Sequence, residues 1–131
     1  MNTKLVMTTS AALLAVAGIS LSFFPNEISN YIGLGVTKTP QLVIQALGAL
    51  YFGFAMLNWM AKGSLIGGIY AKPLVVANLS HFMIGGLSLI KGVINIPNPP
   101  YQLVILTGVY IIFAAIFGVL FMRNPSVNAN S

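Results

Sequence analysis

The chain has 131 residues, of which 57% are apolar and only 5% charged. A soluble domain carries roughly a quarter charged residues, because its surface must be wetted, so this composition excludes a water-exposed globule and expects the lipid bilayer as solvent. The net charge of +5 comes from six scattered cations, Lys4, Lys38, Lys62, Lys72, Lys91 and Arg123, against one carboxylate, Glu27. A nucleic-acid footprint would cluster such cations on one face, so nucleic acid is set aside as a partner.

Four long apolar runs follow in chain order, at residues 5–24, 42–60, 74–93 and 103–122. At about 1.5 Å per residue each reaches roughly 30 Å, the hydrocarbon thickness of a bilayer. Lipid offers no hydrogen bonds, so each run must satisfy its backbone as helix, and none shows the alternation of a membrane barrel strand. The first run has a rival reading as a signal peptide, with Lys4, an apolar stretch and Ala15-Val16-Ala17 as a cleavage site. Against it, apolar sequence continues through Ile19, Leu21, Phe23 and Phe24, longer than a secretory core usually is.

Pro25-Asn26 stops the first run. In the loop at 26–39, Ile28, Tyr31, Ile32 and Leu34 are spaced for a short helix along the membrane interface, capped by Asn26 and ending at Gly33 or Gly35. Thr39-Pro40 opens the second run, and Gly63, Gly67 and Gly68 permit a tight turn before Pro73 opens the third. Ile96-Pro97-Asn98-Pro99-Pro100 makes a stiff connection into the fourth, which Asn124-Pro125 ends. Trp59, Tyr70 and Tyr101 fall near span ends, where amphipathic rings settle. The expected fold is an all-α membrane protein, a four-transmembrane-helix bundle forming one domain over residues 1–123. A polar, disordered tail is expected at 124–131. Lys4, Lys62, Lys72 and Arg123 on one side, against Lys38 and Lys91 with Glu27 on the other, orient it N-in and C-in.

The third run holds the most informative pattern. Asn78, His81, Gly85, Ser88 and Gly92 are spaced three, four, three and four, so they share one helical face. That face makes a poor lipid-facing stripe and is expected to turn inward or line a cavity. His81 is the sole histidine, and an ionisable group at that depth is a functional candidate by default. Its other reading is structural: Asn, Ser and His also bond between helices, for about 1 kcal/mol or less. In the second run Gln41, Gln45, Gly48 and Phe52 lie along one side and Tyr51, Ala55, Asn58 and Lys62 along the next. Gln45 and Tyr51 are expected to face the His81 stripe, completing a ligand-binding set of His81, Asn78, Ser88, Gln45 and Tyr51. Asn58 lies near a span end, where polar residues are tolerated.

Small residues four apart occur in every span: Ala11/Ala15, Ala49/Gly53, Ser88/Gly92 and Ala114/Gly118. They favour close packing, or a homo-oligomer. Thr8, Thr9 and Ser10 are expected to bond their own helix backbone, and Lys91 to snorkel to the interface. Gln41-Leu42-Val43-Ile44 recurs 61 residues later as Gln102-Leu103-Val104-Ile105, each followed by a glycine and a tyrosine, a hint of two related hairpins.

Absences narrow the chemistry. Without cysteine there is no disulfide, iron–sulfur cluster or thiolate zinc site. One carboxylate and no aspartate leave no acid pair and no Ser/His/Asp triad, so no catalytic or metal-binding residue is assigned. A bis-imidazole haem would need a second histidine from another copy, or a methionine such as Met83 or Met56.

The four short spans, the proline-rich last connection and the segment from Leu50 to Met60, LYFGFAMLNWM, resemble small bacterial membrane proteins of DoxX-like or uncharacterised type. The resemblance is architectural and covers the whole chain; it implies the bacterial inner membrane and carries over no catalytic residue. Small multidrug transporters also have four spans but need a Glu in the first, and vitamin K epoxide reductase-like enzymes need paired cysteines; neither is present. The expected role is a binding, accessory or transport-related subunit for a small uncharged molecule or a lipid, alone or within a larger membrane complex. The alternatives are a redox protein holding a quinone or haem near His81, and a purely structural subunit.

Overall fold

A computed structural model describes residues 2–64 and 71–123, and among them the secondary structure is entirely helical. The helices are α1 (Thr3–Phe23), α2 (Pro25–Tyr31), α3 (Lys38–Ala61), α4 (Lys72–Asn95) and α5 (Tyr101–Met122). All except α2 are long and apolar enough to cross a membrane. These four coincide with the expected runs but extend past most of their ends. Extension is natural, because a helix need not stop where the apolar residues stop, only where its end groups find other partners. Asn2 supplies one such partner, its Oδ1 accepting the Leu5 N–H at 3.2 Å.

The short interfacial helix is present, but its start differs from expectation. Phe24, not Asn26, holds the N-cap position, without a side-chain bond, and Pro25 opens the first turn. Proline's fixed φ suits a first turn and its missing N–H costs nothing there, so Pro25 ends α1 and begins α2 at once. Beyond α2, Gly33 and Gly35 adopt φ of 78° and 73°, a left-handed backbone that glycine tolerates. The Ser29 hydroxyl donates to the Gly35 carbonyl and closes this turn.

The chain divides into two compact units, Met1–Gly63 and Ser64–Ser131. In the first, α1 and α3 pack antiparallel, with Ser10 meeting Asn58 toward one end and Ser22 meeting Gly48 toward the other. The buried stripe of α1 is Val6, Met7, Ser10, Ala11, Leu14 and Gly18; that of α3 is Ile44, Gly48, Ala55 and Asn58. In the second unit α4 buries Val75, Asn78, Phe82 and Gly86, and α5 buries Thr107, Tyr110, Phe117 and Leu120. Spacings of three and four put each set on one helical face.

The opposite faces are apolar and open. Leu42, Leu50, Ile84, Ile94 and Ile105 are each more than 60% exposed. So much exposed aliphatic surface is unsuited to water and suits lipid. With four membrane-length helices, the chain is a small multi-pass membrane protein. Gly67, Gly68, Tyr70, the Asn124-Pro125 stop and the tail lie outside the described residues.

Candidate functional site

α4 and α5 meet through aromatic rings. Phe82 is fully buried, with its ring stacked on Phe113 at 4.8 Å and Phe117 at 5.7 Å between centroids. The Tyr110 ring packs edge to face with it, centroids 5.2 Å apart and planes at 69°. Offset-stacked and edge-on contacts are the arrangements that aromatic quadrupoles favour. Gly85 lets Tyr110 approach, since a Cβ there would lie 2.7 Å from Tyr110 Cε1.

At the rim of this cluster, Tyr110 Oη and His81 Nε2 are hydrogen bonded at 3.2 Å. In the tautomer with its proton on Nδ1, His81 accepts from the phenol. His81 is half-buried, whereas Tyr110 is buried. The pair lies well inside the apolar length of both helices, where a hydrogen-bonding group is costly unless it is satisfied.

The remaining candidates sit differently. Asn78 is fully buried one turn before His81, and its Nδ2 donates to Leu74 O at 3.0 Å. Ser88 is exposed and donates to Ile84 O at 3.0 Å. The buried face of α4 is thus centred on Val75, Asn78, Phe82 and Gly86, with His81 and Gly85 at its edge and Ser88 beyond it. Gln45 is exposed and Tyr51 half-buried on α3, in the first unit. Of the five candidates, His81 meets α5, through Tyr110, and Asn78 is buried on the same helix one turn before it.

Tyr110 was not among the candidates, although a phenol in so apolar a run is a legible signal. The first unit holds a second polar contact absent from the expected set. Asn58 is fully buried and its Nδ2 donates to Ser10 Oγ at 3.1 Å, while Ser10 donates to Met7 O at 3.0 Å. Thr8 and Thr9 bond Lys4 O and Leu5 O as expected. Among the described residues no buried side-chain nitrogen or oxygen lacks a hydrogen-bond partner. Nor, among them, do three or more His, Cys, Asp or Glu side chains gather as metal ligands would.

Comparison with known proteins finds no family model, no curated protein and no solved structure that matches the chain.

Proposed function

We propose that this small multi-pass membrane protein is a binding or accessory subunit, transport-related in kind, that holds a small, mostly uncharged molecule beside the His81–Tyr110 pair. The observation that carries this is the 3.2 Å bond between half-buried His81 and buried Tyr110, at the edge of an aromatic cluster deep within a span. A phenol and an imidazole supply both donor and acceptor, and the half-buried Phe113 ring adds apolar surface at the same cluster. No fixed carboxylate stands in either helix, which suits a neutral ligand better than a cation.

A redox protein holding a quinone is the second reading. A quinone offers carbonyl acceptors and a flat ring, suited to an O–H or N–H donor of the pair and to the half-buried Phe113 ring. Haem has less support, because the Tyr110 hydroxyl engages the His81 Nε2 that would bind iron. The excess of cations at Lys4, Lys62, Lys72 and Arg123 supports an orientation with both termini inside, and a bacterial inner membrane is part of the same proposal. A homo-oligomer or a larger membrane complex is part of the proposal, supported by the small-residue spacings.

Native mass spectrometry of the full chain in mild detergent tests the binding role. The expected result is a small-molecule adduct at fixed stoichiometry that His81→Ala loses, with a mass that separates a quinone from other neutral ligands. A wild-type protein with no adduct, or one that His81→Ala retains in full, would overturn it.

A further inference from the structure

The first unit carries a surface feature independent of the His81–Tyr110 pair. An apolar groove of about 230 Å³ is lined by Ala11, Ala12 and Ala15 of α1 and by Ala55, Met56 and Trp59 of α3. Alanines create it, since their short side chains leave space beside the helix contact. A depression in a lipid-facing surface loses dispersion contacts unless hydrocarbon fills it.

One end of the groove is marked by charge. Trp59 lies two residues before the end of α3, and Lys62 Nζ stands over its ring, 2.9 Å from the centroid. An ammonium on an indole face is a favourable contact, and an indole near a helix end sits where headgroups lie. Because α1 and α3 are antiparallel, Lys4 belongs to this same end of the unit. The chain's single carboxylate, Glu27, lies in α2, beyond the other end of α1. Among the described residues, the groove thus joins an apolar trough to a cationic mouth with no carboxylate side chain at that end.

We propose that this groove binds one anionic phospholipid. An acyl chain lies along Ala11, Ala12 and Ala15, and the headgroup phosphate takes donors from the Lys62 ammonium and the Trp59 indole N–H. The Lys62–Trp59 contact restrains the long lysine side chain before the lipid arrives, which lessens the ordering required on binding.

The test is native mass spectrometry of the full chain, equilibrated with equal amounts of phosphatidylglycerol and phosphatidylcholine of matched acyl chains. Wild type is expected to retain phosphatidylglycerol several-fold over phosphatidylcholine. Ala12→Leu, at an exposed position outside the helix contact, is expected to reduce retention of both lipids. Lys62→Gln should bring the two lipids close to parity. Lys91→Gln, which removes a cation from the other unit, should leave the wild-type preference intact. Parity in wild type, an unchanged preference in Lys62→Gln, undiminished retention in Ala12→Leu, or an equal loss in Lys91→Gln would each overturn the proposal.

Discussion

Where α1 crosses α3, the contact is backbone against backbone. A Cβ on Gly18 would lie 2.6 Å from Phe52 N, and one on Gly48 would lie 2.7 Å from Ser22 N. Where α5 crosses α4, the contact is ring against ring, through Phe82, Tyr110, Phe113 and Phe117. Lipid supplies no hydrophobic drive between helices, so both pairs depend on packing and hydrogen bonds, but they reach it by opposite means. Along the same α1–α3 contact, toward its other end, the polar pair Ser10–Asn58 is completely buried. The aromatic crossing leaves its polar pair at a rim, with His81 half-buried. A fully buried polar contact between two helices suits a scaffold, whereas one at a rim suits a site.

The strongest way to break this contrast is to enlarge Gly48. Backbone atoms cannot move aside as a side-chain tip can, so Gly48→Leu should force α1 and α3 apart at a cost of about 3 kcal/mol. Gly53→Leu on the same helix, where nothing lies within 4 Å of an added Cβ, should change stability by less than about 0.5 kcal/mol. Reversible unfolding in mixed detergent micelles measures both, and equal losses would place the crossing elsewhere. In the second unit, Phe82→Ala removes the ring that every other member of the cluster touches. Lipid cancels much of the transfer term, but lost packing remains, and the expected cost is about 2 kcal/mol by the same assay. A loss below that at Asn58 would show that the rings do not hold this hairpin. Asn58→Ala should cost less, about 1 kcal/mol, because Ser10 keeps its bond to Met7 O.

The spans were legible because bilayer thickness and backbone satisfaction leave an apolar run of that length few other structures. The partners across each crossing were not, because they depend on helix rotation. Ser10 and Asn58 are 48 residues apart, and Asn58 near a span end passes as a tolerated polar residue rather than a fully buried one. Gly18 and Ser22 are themselves small residues four apart, yet they are no more conspicuous than Ala49/Gly53, whose glycine meets nothing within 4 Å. On α4, the spacing put Asn78, His81 and Ser88 on one helical stripe expected to face inward, but of these Asn78 is buried, His81 half-buried and Ser88 exposed. Phe82 and Gly86 shifted the buried face away from that stripe, because a large ring seeking three aromatic partners outweighs a serine that can bond its own backbone. His81 was legible from its depth; Tyr110, its partner, needed the register of α5 against α4.

Tyr110→Phe most directly separates a site from simple helix glue, because it removes one hydroxyl and keeps the ring that fills the cluster. Native mass spectrometry and unfolding of the same preparation should show the small-molecule adduct lost while stability falls by no more than about 1 kcal/mol. A variant that unfolds more easily yet carries the wild-type adduct would contradict the account and leave the His81–Tyr110 bond a purely structural tie.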